Sequence, residues 1–317
     1  MSSSKTKVTY PSPLRYPGGK TFLAPELQRI LSVINLKKPI YVEPYAGGAG
    51  AALSLLFAGK VKKIVINDYD KAIYSFWKAV IESPEIFAQK IISTPVDVSE
   101  WKKQKEIYAD KSGTTFEIGF ATFFLNRTNR SGVMNAGPIG GIKQGGNYKI
   151  NARYNKSDLA ARILEIGKYK SRIQVFNEEG IEFTKKYINK KNTFIYLDPP
   201  YMKKGKMLYM NLYKDADHER LAKLLNKNKD SYWALTYEEM KKVRSLYENR
   251  KRKRLFLKYG VHDSRNIHKA RELMILSTPF VTTYNLWDIF WKKFYEKIWC
   301  RLELSPVFIK VGIRPYY

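Results

Sequence analysis

Over residues 21–35, Phe22, Leu23, Leu27, Ile30, Leu31 and Ile34 fall on one stripe at helical spacing and predict an amphipathic helix. A compact apolar run, Pro39–Val42, follows and reads as a buried strand. It leads through Glu43-Pro44-Tyr45 into the small-residue stretch Ala46–Gly50, from which Ala51–Phe57 opens as a second helix. Ile64–Ile66 predicts another strand, ending in Asn67-Asp68-Tyr69-Asp70, with a helix over roughly 71–81. Strand, glycine turn, helix, strand and acidic end is how a parallel βαβ sheet begins.

Regularity then breaks. Gly113, Gly119, Gly132, Gly137, Gly140, Gly141, Gly145 and Gly146, with polar residues between them, predict an insertion rich in loops. Strand patterns resume at Ile173–Phe176, Thr193–Leu197, Tyr232–Thr236, Arg254–Lys258 and Leu273–Leu276. With the first two they make seven. The expected fold class is therefore α/β: a Rossmann-like seven-stranded sheet, an insertion of loops and helices, and an aromatic C-terminal extension. The expected divisions are residues 1–94 and 171–277 for the two parts of the sheet domain, 95–170 for the insertion and 278–317 for the extension. In that extension Trp287, Phe290, Trp291 and Phe294 share helical spacing, and Val307–Val311 reads as a strand. So many aromatics predict an ordered appendage.

Composition narrows the partners. The 317 residues carry 57 Lys+Arg against 29 Asp+Glu, a formal charge of +28, which points to a polyanionic partner. Hydrophobic residues at 44 % exclude disorder as the main state. One cysteine, Cys300, excludes a disulfide framework, and with three histidines it argues against a zinc site. His218, His262 and His268 lack ligand spacing and are expected at the surface or at helix ends. The opening MSSSKTKVTY has no apolar run, and no stretch is long and apolar enough to span a membrane. A cytoplasmic protein associated with nucleic acid is expected.

Asp198-Pro199-Pro200-Tyr201 follows the fully apolar strand Thr193–Leu197, at the strand edge where open α/β sheets place ligands. The prolines fix φ and remove two donors, leaving a carboxylate and carbonyl acceptors in a rigid turn beside an aromatic face. That set suits a planar aromatic amine. Two acceptors take the amino hydrogens, the ring stacks on Tyr201, and both effects grow as positive charge develops on nitrogen. The loop Glu43–Gly50 lets a ligand approach the backbone, but it lacks the Lys-Ser/Thr of a phosphate loop. Asp68 lies 21 positions beyond Gly47 at the next strand's end, where an acidic side chain reads ribose hydroxyls. Together they suit a nucleoside cofactor without a pyrophosphate.

Tyr16-Pro17-Gly18-Gly19-Lys20, Glu43-Pro44-Tyr45-Ala46-Gly47, Asn67-Asp68 and Asp198-Pro199-Pro200-Tyr201 occur in the order seen in Dam-type, α-group DNA adenine N6-methyltransferases. The segments 123–132 (FFLNRTNRSG) and 136–141 (AGPIGG) also resemble the target recognition insertion of these enzymes. The resemblance covers about residues 12–277. It implies S-adenosylmethionine as methyl donor, double-stranded DNA as partner, adenine as acceptor after extrusion from the duplex, and no metal. It further implies that Tyr16, Lys20, Glu43, Tyr45, Gly47 and Asp68 contact the cofactor, and that Asp198, Pro199 and Tyr201 are catalytic, Asp198 also lying beside the cofactor. Glu182-Phe183 stands where relatives often have Asp-Phe beside the cofactor adenine. A bacterial or phage origin, and pairing with a restriction endonuclease, accord with the same resemblance.

Arg127, Asn129, Arg130 and Asn135 have side chains able to reach base edges and are the expected DNA readers, while Lys203 and Lys204 would clamp phosphates near the extruded base. The run Arg250–Arg254 is read as a further phosphate contact. Two alternatives stay open at this stage: methylation of another planar amine (cytosine N4, RNA adenine or a glutamine amide), and a catalytically silent DNA-binding or specificity subunit.

Overall fold

The computed structural model describes residues 11–15, 19–34, 36–111, 113–202, 213–258 and 269–277. Tyr16, Lys203, Lys204, His262, His268 and the whole of 278–317 lie outside the described residues.

A 3-10 turn, Lys20–Leu23, leads into α1 (Ala24–Val33), whose apolar face buries Leu27, Ile30 and Leu31. β1 (Ile40–Glu43), α2 (Gly50–Phe57), β2 (Lys63–Asn67) and α3 (Lys71–Glu82) follow the predicted βαβα order. Next come α4 (Pro84–Ser93), α5 (Val98–Asp110), α6 (Thr115–Thr128) and α7 (Lys156–Gly167). β3 (Ile173–Phe176), α8 (Gly180–Tyr187), β4 (Thr193–Leu197), α9 (Asp215–Lys227), β5 (Tyr232–Glu238), α10 (Lys241–Leu246), β6 (Lys251–Lys258) and β7 (Lys269–Leu276) complete the order.

The seven strands form one sheet in the order β3-β2-β1-β4-β5-β7-β6. The first five are parallel; β7 inserts antiparallel between β5 and β6. Every residue of β4 is buried, as its unbroken apolar sequence requires of a central strand. This is a Rossmann-like α/β fold. Because β7 runs against its neighbours, its first residues lie at the same edge as the last residues of β5, with Glu238 paired to Glu272.

The region 95–170 is more helical than its glycine count predicts. α5, α6 and α7 occupy much of it, and the glycines concentrate in the turns between 129 and 149. Gly119 is inside α6 because the helix crosses α3 closely: a Cβ there would lie 2.5 Å from the Ser75 carbonyl oxygen. Phe123 of α6 stacks on Phe76 of α3 with centroids 6.0 Å apart. A capping box between Thr114 and Glu117 starts α6.

The basic run 250–254 is not a turn. It enters edge strand β6, where cationic side chains discourage pairing with another sheet. Arg250 is buried and bonded to Asn226 and to the Leu225 carbonyl, Lys253 pairs with Glu26, and Arg254 with Glu239.

Candidate active site

Two halves of a site gather at the carboxyl edge of the sheet. The first is built by the loop between β1 and α2. Gly47 (φ 46) and Ala49 (φ 44) take left-handed conformations there, so the chain turns from strand to helix within a few residues. The Gly47 N–H donates to Asp68 Oδ2 at 2.8 Å, and its carbonyl accepts from Trp77 Nε1 at 2.8 Å. Asp68 Oδ1 takes the Asp70 N–H at 3.0 Å. Desolvation pushes the Asp68 carboxyl up to about 7, against the pull of those two N–H bonds.

Asn67 ties the strand ends together. Its amide donates to the carbonyls of Pro44 and Glu178, and its oxygen accepts from the Glu178 N–H. Glu179 caps α8 by accepting from the Ile181 and Glu182 N–H groups. Its other oxygen accepts from the Tyr213 hydroxyl, which lies 2.8 Å from the Tyr45 hydroxyl. The Tyr45 ring lies on Gly180, where a Cβ would come within 2.2 Å of it.

The predicted pair Glu182 and Phe183 separates. Glu182 is exposed and paired with Lys185 and Arg220, because the first turn of α8 rotates it to solvent. Phe183 is fully buried against Phe176 and Tyr187. The carboxylate turned inward at this point is Glu179.

The second half is centred on Asp198, immediately after β4. Its Oδ1 accepts from Thr236 Oγ1 at 2.7 Å and from the Tyr201 hydroxyl at 3.3 Å. Its Oδ2 is 3.2 Å from Lys20 Nζ. Lys20 also donates to the Tyr201 hydroxyl at 2.9 Å and stands 3.4 Å from Glu272 Oε2. All five side chains are mostly buried, and Pro199 beside them is buried too. Desolvation holds the Asp198 carboxyl above its ordinary range and the Glu272 charge adds to that, while Lys20 opposes both. Glu43 closes the floor: its Oε1 accepts from the Tyr41 hydroxyl at 2.7 Å, and burial pushes it up to about 8.

His218 corrects the surface expectation. It is buried in α9, with Nδ1 2.6 Å from the Tyr237 hydroxyl and its ring edge on Tyr213. Polar residues before and after it in the sequence conceal that it lies on the apolar face of its helix. Burial lowers its pKa. Tyr237 in turn lies 6.3 Å from Tyr201, ring to ring. Of these residues the sequence had flagged neither Thr236, Glu179, Tyr213 nor Glu272 for chemistry. An acidic residue directly before an apolar strand was the available signal for Glu272.

The four predicted DNA readers divide by burial. Arg130 and Asn135 are exposed on the turn after α6. Arg127 is half-buried, bonding the Arg153 carbonyl at 2.8 Å; desolvation, with Arg15 and Arg162 nearby, lowers its pKa to about 10. Asn129 is fully buried. Its oxygen accepts from Trp101 Nε1 at 2.7 Å, and its amide donates to the carbonyls of Val133 and Met134. That engagement leaves it no face for a base edge.

The D12 class N6 adenine-specific DNA methyltransferase family model matches residues 16–261. No curated protein matches the chain by sequence. Similar solved structures include the rRNA methyltransferase aviRa from Streptomyces viridochromogenes, at 12 % identity over 84 % of this chain and 88 % of that one, with a TM-score of 0.39. A candidate RNA methyltransferase from Pyrococcus horikoshii aligns at 13 % identity over 87 % of this chain and 92 % of its own, with a TM-score of 0.37.

Proposed function

Because the chain belongs to the D12 class N6 adenine-specific DNA methyltransferase family, we propose that it transfers a methyl group from S-adenosylmethionine to the exocyclic amine of adenine in double-stranded DNA. The observation that carries the reading is Asp198, fixed at the end of β4 by Thr236 on one oxygen and Lys20 on the other. A carboxylate held on both sides keeps one orientation, as charge stabilisation at a reacting amine requires.

The donor set suits that cofactor. Each Asp68 oxygen takes one backbone N–H and keeps acceptor capacity for a ribose diol. Asp198 and Glu272 supply negative charge where a sulfonium and a developing ammonium would both be positive, while Glu43, pushed up to about 8 by burial, is a mostly neutral neighbour. When bound, S-adenosylmethionine supplies an electrophilic methyl.

The protein's part is positional. Asp198 accepts from the amino group of the target adenine, drawing the nitrogen lone pair out of the ring, and its charge balances the cation that forms there. The proton leaves after the methyl has arrived. The turn 198–201 offers a backbone carbonyl as second acceptor, and the Tyr201 ring is the stacking face. A base stacked in a duplex cannot present its amine to this site, so the adenine is extruded into it. Arg130 and Asn135, with half-buried Arg127, are assigned to DNA, and Asn129 is assigned to shaping the turn that carries them.

Tritium transfer from labelled S-adenosylmethionine into duplex DNA, followed by nucleoside analysis, tests the reading. Label is expected in N6-methyladenine, and Asp198→Ala should abolish it while leaving DNA binding largely intact. Label in cytosine or only in RNA, or full activity in Asp198→Ala, would refute it.

A further inference from the structure

We infer that Glu272 is a positioning residue for methyl transfer: by sharing Lys20 with Asp198, it prevents the ammonium from cancelling the charge of the ionised Asp198, so that net negative charge faces the cationic groups of the reaction. The inference rests on the proposed function. Glu272 lies beyond residues 16–261, which the family model matches.

The geometry is specific. Glu272 is 2 % exposed, at a position that the antiparallel course of β7 brings beside the end of β5. Its oxygens stand 3.4 and 3.5 Å from Lys20 Nζ, on which Asp198 Oδ2 closes to 3.2 Å. One ammonium thus faces two carboxylates.

The chemistry explains why that sharing matters. A lysine paired with Asp198 alone would neutralise the carboxylate just where positive charge must be balanced. A second carboxylate on the same ammonium takes up part of its charge and anchors it, so Lys20 orients Asp198 without quenching it. The other titratable groups turned toward Asp198 are Glu43 and Tyr41 from β1, Tyr196 from β4, Tyr201 and Tyr237; Glu238 is paired opposite Glu272 on β5. Of these described groups and Lys20, Lys20 is the one cation, and it is the ammonium that Glu272 shares with Asp198. The Glu272 charge also raises the Asp198 pKa, so its removal lowers that pKa.

The test compares Glu272→Gln with Glu272→Asp, using S-adenosylmethionine and S-adenosylhomocysteine as probes. In Glu272→Gln, kcat should fall about tenfold or more with KM for DNA little changed, and the acid limb of kcat should move down by about one pH unit. Calorimetry should show the preference for the cationic donor over its neutral product reduced at least about fivefold. Glu272→Asp retains the charge and should keep that preference. Should Glu272→Gln not fold, Glu272→Leu, which leaves no unpaired polar group, replaces it. A folded charge-removing variant with the wild-type acid limb and wild-type preference overturns the inference. So does an Asp variant that loses as much preference as Gln, since packing would then be the cause. Wild-type protein that binds the donor yet leaves DNA unmethylated defeats the proposed acceptor instead, and the preference measurement still decides on Glu272.

Discussion

Thr236, near the carboxyl end of β5, donates a 2.7 Å hydrogen bond to Asp198 at the end of β4, and the Tyr196 hydroxyl lies 2.8 Å behind it. Adjacent parallel strands thus fix one carboxylate from the side, through a short β-branched residue with little rotamer freedom. The Thr236 bond lowers the Asp198 pKa, so its removal must raise it. Thr236→Val is expected to reduce kcat by roughly 1–2 kcal/mol, about five- to thirtyfold, and to move the acid limb of the rate profile to higher pH. That direction is opposite to the one expected for Glu272→Gln. A kcat–pH series on both variants checks it, and an unmoved limb in Thr236→Val would mean that the bond does not bear on the reacting carboxylate.

Asp68 is expected to govern cofactor affinity. Its ionised form offers acceptors to a diol, and the carboxyl titrates at about 7 because burial disfavours the charge. Affinity for S-adenosylmethionine should therefore weaken as pH falls through 7. The same raised pKa means that the apo fold binds this proton more tightly than the unfolded chain does. The contribution of Asp68 to apo stability thus declines as pH rises from about 4 to about 7. Asp68→Ala should cost roughly 1–3 kcal/mol in binding, about 5- to 150-fold in Kd, and remove the pH dependence. Isothermal titration at pH 6 and 8 decides it; equal affinity in wild type and variant would defeat the ribose assignment.

Tyr201 carries two separable functions. Its ring is proposed to stack on the target base, whereas its hydroxyl accepts from Lys20 and donates to Asp198. Tyr201→Ala should weaken productive DNA binding by about 1–3 kcal/mol through lost stacking. Tyr201→Phe should keep KM for DNA near wild type and reduce kcat by only about threefold to tenfold, because Thr236 and Lys20 still hold the carboxylate. Steady-state kinetics on a short duplex checks both. If Phe behaves like Ala, the ring is not what captures the base.

The first five strands were legible because each is a short, largely apolar run bounded by turn residues, and β4 with its Asp198-Pro199-Pro200-Tyr201 turn was the clearest; β6 and β7 were legible only over their apolar ends, since each begins in a charged stretch. What escaped were residues whose meaning comes from sheet order. Thr236 and Glu272 meet Asp198 and Lys20 only because β5 lies beside β4 and β7 runs backward between β5 and β6. A local pattern holds no such pairing. Glu182 misled for another reason. Proximity in sequence to a buried Phe183 does not give the same face, since successive helical residues point about 100° apart. Helix α6 was hidden by Gly119, which reads as a breaker but serves a close helix crossing.

Asn129 and Arg130 are neighbours in sequence with opposite expected consequences. The Asn129 side chain makes three hydrogen bonds in a fully buried position, joining α5 through Trp101 to the turn at Val133 and Met134. Asn129→Ala would remove the partner of the Trp101 indole N–H and the side-chain donor to the Met134 carbonyl, while the Val133 carbonyl would still accept from the Ala136 N–H. Each buried orphan costs roughly 1–3 kcal/mol, partly relieved by water, so a loss of about 2–4 kcal/mol in unfolding free energy is expected. Arg130 is exposed, and its truncation should leave stability within about 0.5 kcal/mol. Its effect should fall on DNA instead. With a formal charge of +28 and about six neutralised phosphates, log K should fall with log salt at a slope near −5. If Arg130 holds a phosphate, Arg130→Ala should flatten that slope by about 1 and weaken binding evenly across sequences. If it reads a base, the slope should hold while discrimination at one position falls by roughly 1–3 kcal/mol. Denaturant unfolding and salt-dependent binding on two duplex sequences measure all of this. An Asn129→Ala protein of wild-type stability, or an Arg130→Ala protein with slope and discrimination both intact, would reverse the roles assigned to these two residues.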